Sequence, residues 1–302
     1  MSLKKELNMK IKHFFDEATA TLSYIVYEEV TNAAIVIDPV LNYDAAASSY
    51  DTHSIDALEA FINNKKLTLH TILETHAHAD HLSGAQFLKE RFPSSILAIG
   101  ENIRLVQQTF KKVFNFKDFN ENGIQFDRLL KDNETFKVGH LNIEIRFTPG
   151  HTPACSSYIV NQKAVFTGDV LFMHDFGTGR CDFPGGSAAA MYDSVTQRLY
   201  TLPDDVAVYV GHDYKPGGRV LLYKSTIGEQ KKSNPQLNAR TTREDFIHFR
   251  QTKDRSLTAP KLLLQSLQVN IDAGLLPAKE DNQTAYLKVP IKQNKKRAPH
   301  DK

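Results

Sequence analysis

Apolar positions along the first forty residues fall into three short runs, Lys10–Phe15, Leu22–Tyr27 and Ala33–Ile37. They are rich in β-branched and aromatic residues, and polar pairs (Asp16-Glu17, Thr31-Asn32) separate them, which predicts three strands joined by turns. Asp38-Pro39 closes the third run, because proline cannot donate to a strand ladder. The period then changes. Ile55, Leu58, Phe61 and Ile62 lie at helical spacing behind Ser54, a candidate N-cap. Leu67–Glu74 predicts a buried strand, and Leu82, Ala85, Leu88 and Phe92 predict a helix that stops at Pro93. Strands alternating with amphipathic helices argue for helices packed on sheets.

The middle of the chain repeats this style. Phe136–Val138 and Leu141–Phe147 predict a hairpin around Gly139-His140; Ser157–Val160 and Ala164–Thr167 predict another around Asn161-Gln162. The stretch Phe176–Gly186 carries too many breakers to be an element. After it Met191, Val195 and Leu199 mark a helix, and Val206–Val210 a strand. From about Gly218 the segments Arg243–Arg255 and Lys261–Ile271 predict helices rich in polar residues. No clear linker precedes them. The expected organisation is therefore a core over residues 1–215 and a helical cap over 216–302 packed on it, ending in a solvated basic tail, Lys292–Lys302.

Composition narrows the function classes. The chain has 302 residues, 41% hydrophobic and 24% charged, an ordinary globular balance. A net charge of +2 argues against nucleic-acid binding by bulk charge. No apolar run of about 18 residues is present, so no membrane span is expected. The opening MSLKKELNMKIKHFF lacks the apolar stretch of a signal peptide. Two cysteines cannot build a disulfide framework. These features predict a soluble, cytoplasmic protein in a reducing compartment.

The chemistry concentrates in Thr75-His76-Ala77-His78-Ala79-Asp80-His81. His76 and His78, two apart at an extended strand end, point the same way, while Asp80 and His81 follow on the turn into the next helix. An apolar strand and an amphipathic helix flank the run, so it is expected to be buried. So many imidazoles packed together are unfavourable without a cation to coordinate. His151, Asp169 and His212 share the setting, each following a predicted strand and each next to a glycine (Gly150, Gly168, Gly211). Singly, each reads as a turn or capping residue. Together they predict convergence on one site at strand ends, where α/β folds place ligands.

The motifs THAHADH, TPGHT, FTGD and VGHD resemble those of the metallo-β-lactamase superfamily, over about residues 11–215. The resemblance implies an α/β fold of the αββα four-layer sandwich type with a C-terminal helical extension. It also implies a first metal site of His76, His78 and His151, a second of Asp80, His81 and His212, and Asp169 able to bridge them. GHTPACSSYIV, FTGDVLF, GRCDF, GHDY and GEQKKSNPQL are further similar to the persulfide dioxygenase branch, the ethylmalonic-encephalopathy-protein-like enzymes, and the likeness reaches Ser266–Asn270. Eleven positions separate Asp169 from Arg180, a longer loop than in the animal enzymes, and this resembles a bacterial subgroup linked to sulfide detoxification.

That branch oxidises glutathione persulfide with O2 to sulfite and glutathione. The resemblance implies one Fe(II) held by His76, His151 and Asp169, with His78, Asp80, His81 and His212 orienting the ligands or bound water. Two His and one carboxylate leave open positions where sulfur and O2 can meet. Because every ligand residue is present, a two-metal thioesterase of the glyoxalase II type, with zinc, is the alternative. A non-catalytic metal or thiol sensor is a third reading. Arg180 is expected either to hold a substrate carboxylate or to pair with Asp182. Tyr214, Arg250 and Lys253 resemble the glutathione contacts of glyoxalase II; a solvated basic face is the other reading of Arg250 and Lys253. Cys181, beside Arg180, is read as a buried filler or as a persulfide relay with a lowered pKa. A homodimer is implied by resemblance alone.

Overall fold

The computed structural model describes residues 9–291, so the tail Lys292–Lys302 lies outside the described residues. Strands β1 (Met9–Asp16), β2 (Thr21–Glu28) and β3 (Ala33–Ile37) pair antiparallel in order. Two short strands, β4 (Val40–Asp44) and β5 (Ser49–Asp51), lead to helix α1 (His53–Asn64). Strand β6 (Thr68–Glu74) returns parallel to β3. Then come β7 (Leu82–Ser83), α2 (Ala85–Arg91), β8 (Ile96–Gly100), α3 (Ile103–Phe114) and β9 (Arg128–Leu130). The first sheet has the order β1-β2-β3-β6-β8-β9, and β5-β4-β7 form a small side sheet. The parallel neighbours β3, β6, β8 and β9 need crossovers, which α1, α2 and α3 supply.

The second sheet takes its strands in chain order. They are β10 (Thr135–Val138), β11 (Leu141–Phe147), β12 (Ser156–Val160), β13 (Ala164–Phe166), β14 (Ala207–Tyr209) and β15 (Lys224–Thr226). Strands β13 and β14 are parallel, and the crossover between them carries helix α4 (Ala188–Ser194). Strand β15 lies beyond residue 215, so the sheet continues into the C-terminal segment. Helices α5 (Ile227–Ser233), α6 (Arg243–Asp254) and α7 (Leu263–Asn270) follow.

The two sheets meet face to face. Val26, Ile35 and Ile37 of the first share one core with Ile145, Tyr158 and Phe166 of the second. Met191 of α4 and Val195 just after it, with Phe246 of α6, extend that core. On the other face of the first sheet, Ile55, Leu58, Phe110 and Leu267 from α1, α3 and α7 pack on Ile25, Val36 and Ile72. The result is an αββα sandwich. Among the described residues no helix is long and apolar enough to cross a membrane.

Local differences from the expected elements have physical causes. Ser54 is not the N-cap of α1; Thr52 occupies that position and makes no side-chain cap. Asn42 Oδ1 accepts from the Ser54 N–H at 3.0 Å and Asp51 Oδ1 from His53 N–H at 3.1 Å, so neighbours satisfy the helix end. Leu82 belongs to β7, because it pairs with β4, and the helix starts only after Gly84. A Cβ on Gly84 would lie 2.3 Å from Ile55 Cδ1 and 3.0 Å from the Val40 carbonyl oxygen, so a larger residue there would force Ile55 of α1 to shift. The helix through Met191, Val195 and Leu199 changes type at Val195, where Val195–Leu199 forms a π-helical turn.

Candidate metal centre

The loops after β6, β11, β13 and β14 bring the motif residues together. Donor atoms of His76, His151 and Asp169 lie within 4.8 Å of one another, and so do those of His78, Asp80 and His81. His212 Nε2 sits 3.3 Å from Asp80 Oδ2 and 3.3 Å from Asp169 Oδ1, joining the two groups. The imidazole rings crowd each other, with His76 and His78 centroids 4.1 Å apart and His78 and His81 4.2 Å apart. All four loops are anchored in sheets, so the crowding is built into the framework.

Hydrogen bonding shows which ring nitrogens face inward. His151 Nδ1 lies 2.8 Å from the Arg180 carbonyl and His212 Nδ1 3.2 Å from the Ala20 carbonyl. A carbonyl only accepts, so both rings donate from Nδ1 and leave a lone pair on Nε2. His76 Nδ1 meets Thr75 Oγ1 at 3.0 Å. His76 Nε2, His78 Nδ1, His81 Nε2, His212 Nε2 and Asp169 Oδ1 are buried without any hydrogen bond. Buried polar atoms are otherwise satisfied in folded proteins, and this many orphans aimed at one another fit a cation between them.

Burial holds His76 well below the ordinary imidazole range, with the His78 charge adding to it, so it is neutral and ready to ligate. His78 goes the other way. Burial opposes its charging, but the Asp38 carboxylate, with Glu74, outweighs burial and raises it well above the usual value. Its Nε2 is 3.1 Å from Asp38 Oδ1 and 3.2 Å from Glu74 Oε2. Burial in turn pushes Glu74 up to about 7. For Asp80, burial is outweighed by His212 and His81, leaving its carboxyl well below the usual range. His78 thus turns its Nε2 toward two carboxylates, while its Nδ1 is buried without a hydrogen bond.

A cavity of about 810 Å³ opens onto His151, Asp169 and Asp80, walled by Phe172, Phe176 and Tyr214. Tyr214 stacks on His212, with ring centroids 5.5 Å apart. Lys253 also lines the cavity, with Nζ 5.9 Å from the Phe176 ring centroid, and makes no ion pair among the described residues. Arg180 lines it too, but its guanidinium grips Asp182 through Nε at 2.6 Å and Nη2 at 2.7 Å, and donates to the Thr258 carbonyl. Arg250 is not on a solvated basic face: it is 1% exposed and paired with Asp254. Cys181 is buried, and burial pushes its thiol up to about 12 rather than down. Burial therefore overrides the lowering expected from Arg180, whose guanidinium is held by Asp182.

Several supporting residues carry no signature of their own in the sequence. Asp38 accepts from Thr75 N–H at 2.7 Å and Thr75 Oγ1 at 2.8 Å, fixing the residue before His76. Asn270 at the end of α7 donates to the carbonyls of both His78 and His81 at 2.8 Å, pinning the histidine loop from the far end of the chain. The Asp38-Pro39 stop and the Ser266–Asn270 motif mark these places, but only the fold reveals what they touch.

The metallo-β-lactamase superfamily pattern matches residues 17–212. Glyoxylase B2 of Dictyostelium discoideum is 45% identical over 283 residues, covering 93% of this chain and 97% of that protein. Persulfide dioxygenase ETHE1, mitochondrial, of Homo sapiens is 31% identical over 266 residues, covering 88% of this chain and 89% of that one. Among solved structures, ETHE1 from Myxococcus xanthus superposes with a TM-score of 0.71 at 30% identity, covering 88% of this chain and 100% of that chain. Sequence pattern, relatives and overall superposition agree with the buried donor cluster: the chain belongs to the metallo-β-lactamase superfamily.

Proposed function

We propose that the protein is an iron-dependent persulfide dioxygenase that oxidises glutathione persulfide, or a similar small persulfide, with O2. One observation carries this reading: donor atoms of His76, His151 and Asp169, two imidazoles and one carboxylate, form one compact group. Such a set suits Fe(II), which supplies open positions for a sulfur and O2 and can exchange electrons, as zinc cannot. In the overall reaction the outer sulfur gains both atoms of O2 and one oxygen from water, leaving as sulfite while the thiol is released. The residues around the centre prepare it. His212 Nε2 faces both Asp80 and Asp169 beside the donor group, Phe172, Phe176 and Tyr214 wall off water, and Lys253 offers a cation to a substrate carboxylate.

A second reading has its own support. His78, Asp80 and His81 form another compact donor group, and a relative named Glyoxylase B2 shares 45% identity. A two-metal hydrolase acting on a glutathione thioester would use both groups, with Asp169 between them. Anaerobic purification with metal analysis, then O2 uptake on glutathione persulfide, separates the two. About one iron per chain with sulfite formation is expected. Two metals per chain and thioester cleavage without O2 uptake would establish the hydrolase instead. His76→Ala and Asp169→Ala should each lose bound iron and bring O2 uptake to background; full uptake by either variant would overturn the proposed ligand set.

A further inference from the structure

The site loop has almost no regular structure, yet it touches two members of the donor group. Its Arg180 carbonyl sets the tautomer of His151. Its Gly179 lies so close to Asp169 that a Cβ there would be 2.1 Å from the Asp169 carbonyl oxygen. Something must hold this loop, and the partners come from the C-terminal segment. Gln236 Nε2 donates to the Phe176 carbonyl at 2.8 Å, and Gln236 Oε1 accepts from Thr178 N–H at 3.1 Å. Arg250 Nη1 donates to the Thr178 carbonyl at 3.2 Å and to Gln236 Oε1 at 3.0 Å. Asp254 Oδ2 accepts from the Cys181 N–H at 2.9 Å, while its Oδ1 pairs with Arg250 Nη2.

We propose that Arg250 and Asp254 are positioning residues: their buried ion pair on α6 clamps residues 178–181, so that the Arg180 carbonyl keeps His151 Nε2 aimed at the metal. Burying a guanidinium and a carboxylate is costly unless every group is used. Here both carboxylate oxygens and both terminal nitrogens of Arg250 are used, with its Nε left unpartnered, and three of the partners are backbone or side-chain groups that fix the loop. The pair therefore acts on the centre through two intermediaries, first the loop and then His151. The same geometry takes Arg250 out of the role of substrate grip, because its terminal nitrogens are already committed. This inference rests on His151 being a metal donor.

Cobalt(II) titration of the full-length metal-free protein, followed by absorption spectroscopy, tests it alongside kcat and KM for glutathione persulfide. Asp254→Asn and Arg250→Met should each weaken cobalt binding about tenfold to a hundredfold, the range for partners that orient a ligand. Their cobalt bands should shift and kcat should fall, with KM within about twofold of the wild type. A raised KM with unchanged cobalt affinity in Arg250→Met would make that residue a substrate contact and overturn the proposal. Unchanged affinity, bands and kcat would reduce the pair to a fold element, overturning it equally. If a single variant does not fold, the double variant Arg250→Met, Asp254→Leu is measured with the same expectation, since apolar pairs commonly replace buried ion pairs without loss of fold. Failure of the wild type to bind cobalt would instead sink the assignment of His151, a separate result.

Discussion

At the scale of single residues, the chemistry of the centre follows from which atoms are left unpaired in a dry place. The two thiols give a sharp test of how far burial controls reactivity. Burial pushes both Cys155 and Cys181 up to about 12, so roughly one thiol in 10⁴ is ionised at pH 8. Iodoacetamide at pH 8 should leave both unlabelled in the native protein and label both after unfolding, read by intact mass. Cys181→Ser should keep at least half of the wild-type turnover; loss of turnover would restore a sulfur-relay role. Much at this scale is legible in the sequence, because metal donors are confined to a few residue types at strand ends. Asp38 and Asn270 are not legible, since their importance lies in what they touch across 37 to 192 positions of chain, and Glu74, four positions from His78, looks like the end of an apolar strand.

Individual elements differ in how clearly their pattern shows. Helix α3 has Ile103, Val106, Phe110 and Phe114 buried on one face, an amphipathic spacing as clear as that of α1. Strands β5 and β9, three residues each, carry too few positions for a period to register. Irregular connections rely on side chains instead. Asp132, between β9 and β10, accepts from Phe147 N–H at 2.8 Å and pairs with Arg198 on the π-helical turn. Burial opposes its charge, but Arg198 and the Phe147 N–H outweigh it and hold the carboxyl below its ordinary 3.8. A depressed native value means a contribution fully present above pH 3.8 and lost as pH falls through the lower native value. Asp132→Asn should lower stability at pH 7 while flattening its loss below roughly pH 4, as followed by urea unfolding across pH.

For the whole molecule, the C-terminal helices share the hydrophobic core. Phe246 of α6 is fully buried in the same cluster as the sheet interface, and Leu267 of α7 packs with α1 and α3. Phe246→Ala should destabilise the protein by about 3–5 kcal/mol, read as a lower urea midpoint with little change in slope. The helical segments beyond Gly218 and their packing on the core are expected from the sequence; the residues that make the contacts are not legible, because α6 meets α4 about fifty positions back and α7 meets β7 and α3 more than 150 positions back.

The three donors His76, His151 and Asp169 come from opposite sheets and span 93 residue steps. Neither half of the chain carries the full set. A ribosome must release most of the polypeptide, and both halves must dock, before an ion finds all its ligands. With the proposed ligand set, metallation is a seal on a finished fold and not its seed, unlike a zinc finger, where the ion organises the chain.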